Sequence, residues 1–373
     1  MIKVNEFFYF LKKNKVEYFT GVPDSILKDT NSFLKKKNEK KHFITPNEGS
    51  AIALAIGYNL ATNKIPCVYM QNSGLGNALN PLISIAHKKV YSIPMLLLIG
   101  WRGAPGTKDE PQHELKGSIT PKLLNLLNIK FCSINENKDF KKIKKLINFA
   151  KKNKSPVACL VKNNILKDLK SRKIKSKSTG LKRSYVIEEL LNKIDKKTKI
   201  IATTGFTSRE LNQLRNNKKE KNGQDFYMVG GMGHSGMVSL GISLRTKENV
   251  ICLDGDGSLL MHLGSIISIA RIGGNNFKHI LLNNFSHESV GGQTTNINKL
   301  NINKMIISAG YKKYFVIKNK SQVSKIMLKF LKSKGPCFLE IKIKAGTLEN
   351  LKRPKNLLNI KKIFYEQLLD YLK

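Results

Sequence analysis

The chain has 373 residues, 66 of them Lys or Arg and 26 Asp or Glu, for a formal net charge of +40. That length exceeds one compact core and suits two α/β domains, and a hydrophobic share of 41% is that of a globular protein. No apolar run approaches the roughly 18 residues of a bilayer span, and the N-terminal stretch has no small-residue cleavage site, so a cytoplasmic protein without a membrane partner is expected.

The first half alternates strand and helix at α/β spacing. Glu17 to Gly21 reads as a strand ending in Pro23-Asp24-Ser25, where Ser25 is placed to cap a following helix. Phe43 to Thr45 is the next short strand, with a helix from Ser50 to Thr62. Pro66 to Met70, a helix after Gly76, and Met95 to Gly100 follow. Trp101 to Gly117 reads as a loop, and Pro156 to Val161 closes the set. Residues 167–183 are dominated by Lys, Ser and Gly and read as a linker. The second half repeats the pattern, with strands at Ile200 to Thr203, Phe226 to Val229, Val250 to Leu253, His279 to Leu282 and Pro336 to Ile343. Its helices fall at Thr207 to Leu214, His234 to Leu244 and Leu259 to Ile272. The expected architecture is α/β, two doubly wound parallel sheets whose ligands bind at strand C-terminal ends.

The excess positive charge is mostly lysine spread along polar helix faces. It reads as a solvated surface that helps draw in an anionic substrate, and a nucleic-acid partner is not expected. Cys67, Cys132, Cys159, Cys252 and Cys337 are scattered without a CxxC pair and read as reduced thiols, not zinc ligands or a disulfide frame.

Asp254-Gly255-Asp256-Gly257-Ser258 ends one apolar strand and Asn283-Asn284 ends another, with 25 residues between Gly257 and Asn283. Gly255 and Gly257 fall at a strand-to-helix turn where free amides face an anion. A GDG turn alone often merely reverses a chain. Paired with the Asn-Asn on the next strand, it resembles the fingerprint of thiamin diphosphate enzymes. The resemblance implies that Asp256, Asn284 and the main chain of Ser286 hold Mg2+, which wants oxygen ligands and bridges the diphosphate to the protein. It assigns Gly255, Asp256, Gly257, Ser258 and Asn284, with Thr204 and Gly205, to the cofactor.

Glu48, in Pro46-Asn47-Glu48-Gly49-Ser50-Ala51, stands where the family places the acid that hydrogen-bonds N1' of the aminopyrimidine and so promotes loss of the C2 proton. Its plain alternative is an acid favourable to a helix N-terminus. In Gly230-Gly231-Met232-Gly233-His234, the resemblance makes Met232 the wedge that bends the cofactor and Gly230 a carbonyl acceptor. A Met at helical spacing is otherwise core.

The absence of a middle domain, with Thr20-Gly21-Val22-Pro23-Asp24-Ser25, Gly100-Trp101-Arg102-Gly103, Lys108-Asp109-Glu110-Pro111-Gln112-His113, Thr203-Thr204-Gly205, Thr207-Ser208-Arg209-Glu210-Leu211 and Val290-Gly291-Gly292-Gln293, is similar to the phosphonopyruvate and sulfopyruvate decarboxylase group. The implied domains are 1–166 for the pyrimidine, a linker at 167–183, and 184–373 for the diphosphate and magnesium. The implied reaction is decarboxylation of 3-phosphonopyruvate to phosphonoacetaldehyde in phosphonate biosynthesis, with sulfopyruvate as the alternative substrate. Asp24, Ser25, Arg102, Lys108 and His113 are the substrate candidates, Asp24 and His113 also serving catalysis with Glu48. His287 and Glu288 lie just beyond the metal loop and are further candidates for the pocket. In this superfamily the cofactor lies between domains of two subunits, so at least a homodimer is implied. The chain departs from the family pattern at Phe285, usually small, at Phe206, where Lys is common, and at Gly231 in place of Ser. A basic nucleic-acid-binding protein on an enzyme fold would give no reason for Glu48, Asp256 and Asn284 to keep their spacing.

Overall fold

The computed structural model describes residues 1–168, 180–218 and 223–369. The chain divides into two compact units, Met1–Ile174 with His287–Gln293, and Lys175–Ser286 with Thr294–Lys373. Of the segment read as a linker, Lys167 lies in a short strand paired with Ile2–Lys3, and Leu181 bridges to Ile343. Residues 169–179 of it lie outside the described residues.

The first unit is built on a six-stranded parallel sheet. Its strands are β1 (Phe19–Gly21), β2 (His42–Ile44), β3 (Cys67–Gln71), β4 (Leu96–Gly100), β5 (Lys130–Ile134) and β6 (Val157–Val161). They lie in the order β2-β1-β3-β4-β6-β5. β4 and β6 are buried along their whole length, as a parallel sheet covered on both faces requires. Alternation sends Cys67 and Tyr69 to a core with Phe7, Phe8 and Leu11, and Val68 and Met70 to a core with Ile52, Ala55 and Leu75.

The second unit has β7 (Lys199–Ala202), β8 (Asp225–Tyr227), β9 (Val250–Gly255), β10 (Phe277–Asn283), β11 (Lys313–Ile317) and β12 (Cys337–Lys342). Their order is β8-β7-β9-β10-β12-β11, the same path as in the first unit. In each unit the strand order switches, between β1 and β3 and between β7 and β9, from which the chain runs out to opposite edges of the sheet. At such switch points the loops leaving the strand ends part and open a crevice for ligand.

The structure corrects several sequence expectations. The segment read as a loop, Trp101 to Gly117, runs into a helix, Pro111–Leu126, with Pro111 at its first position where a missing N–H costs nothing. The helix expected from Leu259 to Ile272 is two, Asp256–Met261 and Ser265–Ile272, broken at His262. Ser25 caps no helix. The helix that follows it, Lys28–Leu34, has Leu27 at its N-cap with no side-chain cap. Among the described residues the five cysteines are unbridged, and no helix is long and apolar enough to cross a membrane.

Candidate functional site

In the first unit the expected residues follow the C-terminal ends of β1, β2 and β4. Glu48 is the first residue of the helix Glu48–Thr62, whose N-cap Asn47 accepts from the Ser50 amide at 2.8 Å. Only 6% of Glu48 is exposed, its Oε2 accepts from Asn77 Nδ2 at 2.8 Å, and its carboxyl lies where a side chain at Gly74 would sit. A buried acid at a positive helix end suits contact with a polar ligand nitrogen.

Asp24, expected to face the substrate, is wholly buried within this chain. Its Oδ1 accepts from Gln71 Nε2 at 2.5 Å and its Oδ2 from the amides of Ile26 and Leu27 at 3.1 and 3.2 Å. Burial raises its pKa over the opposing pull of these bonds and of the Arg102 charge. Arg102, expected to meet the substrate's anionic group, is committed to a two-pronged ion pair with Asp109 and donates to Ser25 Oγ at 3.2 Å. Although burial works against it, that guanidinium, with the amides of Glu110 and Gly103, holds Asp109 well below the usual carboxylate range. Lys108 is exposed on the same loop, and His113 lies in the first turn of Pro111–Leu126. A side chain at Gly103 would strike the His113 carbonyl, so this glycine lets the loop close onto that helix.

In the second unit the switch point between β7 and β9 is bridged by hydroxyls. Thr203 Oγ1 donates to Ser258 Oγ at 2.9 Å, and Ser258 Oγ accepts from the Gly233 amide at 3.1 Å. That ties the segments holding Thr204-Gly205, Gly230-Met232 and Gly255-Gly257 to one hydroxyl. Gly205, Gly231 and Gly233 have φ of 97°, 63° and 90°, values that keep these turns free of side chains and leave half-buried Met232 projecting between two glycines.

Asp256 is 3% exposed, and its Oδ2 accepts from Thr295 Oγ1 at 2.7 Å. Burial pushes its carboxyl up to about 6, against the Thr295 hydroxyl and the amides of Gly257, Asp256 and Ser286. Ser286 also donates its amide to Asn284 Oδ1 at 3.1 Å, so the segments that carry Asp256, Asn284 and Ser286 lie together. A carboxylate this poorly solvated fits a hard divalent cation, whose charge would offset the burial. Taken each by itself, the glycine turns of the second unit fit a diphosphate, and the buried Glu48 carboxyl of the first fits a polar ring nitrogen, as thiamin diphosphate would offer.

Sequence reasoning missed four supports. Asn77 holds Glu48, Gln71 holds Asp24, and Thr295 holds Asp256. Asp254 backs the GDG turn, accepting from Ser235 Oγ at 3.0 Å and the Gly255 amide at 2.9 Å. Cys252, Asp254 and His279 form a buried group with possible ligand atoms within 4.8 Å of one another; Asp254 Oδ1 takes those donors, its Oδ2 lies 3.5 Å from His279 Nε2, and His279 Nδ1 lies 3.0 Å from Tyr311 Oη. The QNSGLGN run was legible as a polar, Gly-rich strand end. His287 is buried, which pushes its pKa down to about 4.

Comparison with known proteins finds relatives for both units. The thiamine pyrophosphate enzyme N-terminal TPP-binding domain matches residues 4–122, and the C-terminal TPP-binding domain matches residues 203–341. A phosphonopyruvate decarboxylase of Streptomyces viridochromogenes is 32% identical over 356 residues, covering 90% of this chain and 87% of that protein. One of Streptomyces hygroscopicus is 31% identical over 355 residues, covering 90% and 86%. A sulfopyruvate decarboxylase of Methanosarcina acetivorans is 26% identical over 348 residues, covering 84% and 87%. With both cofactor domains matched on its two sheets and decarboxylases aligned along most of its length, the chain belongs to the thiamin diphosphate-dependent family of 2-keto acid decarboxylases.

Proposed function

We propose that the chain decarboxylates 3-phosphonopyruvate to phosphonoacetaldehyde, consuming a proton and releasing carbon dioxide, in phosphonate biosynthesis. The observation that carries this reading is the alignment over 90% of the chain with phosphonopyruvate decarboxylases at 32% and 31% identity, against 26% over 84% for the fused sulfopyruvate enzyme.

Bound thiamin diphosphate supplies the carbon nucleophile and the electron sink for loss of carbon dioxide. Asp256, Asn284 and Ser286 would hold Mg2+, and the turn Gly255 to Ser258 would hold the diphosphate. Thr204, Gly205, Gly230 and Met232 would hold the rest of the cofactor, and Glu48 would hydrogen-bond its pyrimidine ring. Asp24, whose burial favours its protonated form, and His113 exchange protons with the substrate carbon and oxygen. Lys108, exposed and unlike Arg102 outside the Asp109 pair, is the favoured cation for the phosphonate, while Ser25 and Arg102 shape the pocket wall.

The enzyme acts as at least a homodimer, a partner copy completing the site. Two helices support this. Glu48–Thr62 and Ser235–Ser243 are apolar around most of their circumference, yet leave Leu54 and Leu60 on one and Met237 on the other exposed.

The test is to offer phosphonopyruvate and sulfopyruvate in parallel to the protein with thiamin diphosphate and Mg2+, following aldehyde with a coupled dehydrogenase. Preference for phosphonopyruvate upholds the reading. Preference for sulfopyruvate keeps the chemistry and replaces the substrate, and turnover of neither with cofactor bound overturns both.

A further inference from the structure

One turn of chain reaches two buried acids of the first unit, Asp24 and Glu48. β3 ends at Gln71, passes through a 3-10 turn, Asn72–Gly74, and enters the helix Leu75–Pro81. Within this stretch Gln71 Nε2 donates to Asp24 Oδ1 at 2.5 Å, and Asn77 Nδ2 donates to Glu48 Oε2 at 2.8 Å. Asp24 is wholly buried and Glu48 is 6% exposed, so neither carboxylate has water to replace these donors freely.

The surroundings fix which way each amide points. Gln71 Oε1 accepts from Ser73 Oγ at 2.9 Å, which turns its NH2 toward Asp24. Asn72 anchors the stretch from behind, its Nδ2 donating to the Arg102 carbonyl at 2.9 Å and to Thr120 Oγ1 at 3.0 Å, and its Oδ1 accepting the Arg102 amide at 3.1 Å. Gly74 leaves the space the Glu48 carboxyl occupies, and Gly49 lets the Asn77 backbone approach to where a side chain would stand at 2.9 Å. An amide suits this task better than Lys or Arg. It supplies N–H donors that favour the ionised acid without placing a full positive charge beside it.

We propose that residues 71–77 are a positioning turn for the reaction's two acids, Asn77 aiming Glu48 at the cofactor and Gln71 aiming Asp24 at the substrate. The proposal rests on the reading of Glu48 and Asp24 given above. It predicts that the two amides act on different steps, although they sit on one turn. Asn77 governs activation of the cofactor, which needs Glu48 alone, and Gln71 governs turnover of the keto acid.

Deuterium exchange at C2 of thiamin diphosphate, bound to the protein with Mg2+ and no substrate, separates them. Asn77→Ala is expected to slow exchange about 10- to 100-fold, the scale of a misaimed catalytic group, with cofactor affinity by calorimetry changed by no more than about threefold. Asn77→Ser, a shorter donor, should recover part of the rate. In the double variant with Glu48→Gln the Asn77 effect should vanish, since no carboxylate is left to aim. Gln71→Leu should exchange at the wild-type rate while kcat for the keto acid falls about tenfold or more and its pH profile shifts.

Wild-type exchange in Asn77→Ala, or equal slowing in Gln71→Leu, would overturn the proposal, the second by showing a general loosening of the turn. The exchange arm needs cofactor only, so a protein that exchanges but decarboxylates neither keto acid defeats the substrate assignment and leaves the role of Asn77 standing. A wild-type protein that fails to bind thiamin diphosphate defeats both.

Discussion

Glu48 brings a carboxyl to a helix N-terminus and buries it against Gly74. Replacing it with Gln keeps the shape and removes the charge, so cofactor should still bind while C2 exchange slows about 100-fold or more. Calorimetry with the exchange measurement checks both halves, and full activity in Glu48→Gln would count against the site. Asp256→Ala removes the acid that burial pushes up to about 6, and magnesium-dependent binding of the cofactor should weaken about tenfold or more, read by titration with and without EDTA. Phe285 shows why one departure from the family pattern matters. Its φ is 59°, in the left-handed region where a side chain costs about 1–2 kcal/mol, so the small residue usual there answers a backbone demand. This chain accepts that cost directly beside its expected metal ligands, with Lys342 over the ring at 5.7 Å from its centre.

The elements that carry the site are those whose ends are best specified. Asn47 caps Glu48–Thr62 through the Ser50 amide, and Asn47→Ala should cost about 1 kcal/mol, lowering the melting temperature of that unit by roughly 2–4 °C in a scanning calorimeter. Strands and helices with a clear period were legible: β4, β6, β9 and the helix Glu48–Thr62 fall within a few residues of the sequence reading. The helix break at His262 was not, because Leu259 to Ile272 is apolar for most of its length and its periodicity hides the interruption. The edge strand β5 was missed because its KFCSI residues are only partly buried. The helix at Pro111 was missed because the Gly and Pro residues before it read as a continuing loop.

At the scale of the molecule, the first unit carries a titratable weak point. His42 is 7% exposed, its Nε2 lies 2.8 Å from Tyr69 Oη, and burial lowers its pKa from 6.5 to about 4. A histidine depressed in the folded state binds its proton more readily when unfolded. Its contribution is therefore present above pH 6.5 and is lost as the pH falls toward 4. Between pH 8 and pH 5 that loss is about 2 kcal/mol. Urea midpoints at the two pH values should show it, and His42→Phe should flatten that part of the profile. The functional assembly is a further prediction: light scattering alongside the decarboxylase assay should find activity only in a dimer or larger species, and an active monomer would sink that part of the proposal.

What the sequence by itself determined is the duplicated α/β layout and the chemistry-bearing motifs, because strand ends, glycine turns and their spacing are local signals. That the segments after Asp254 and Asn283 lie together was readable for the same reason: two adjacent parallel strands must end side by side. Only the tertiary structure decided which side chains hold the acids. Gln71 and Asp24 lie 47 positions apart, and Thr295 and Asp256 39 apart, joined by strand order and not by any local pattern. The same is true of Arg102, whose charge invited a substrate contact and whose guanidinium the folded loop spends on Asp109. A side chain's partner depends on what the sheet brings beside it, and that is a property of the packed chain.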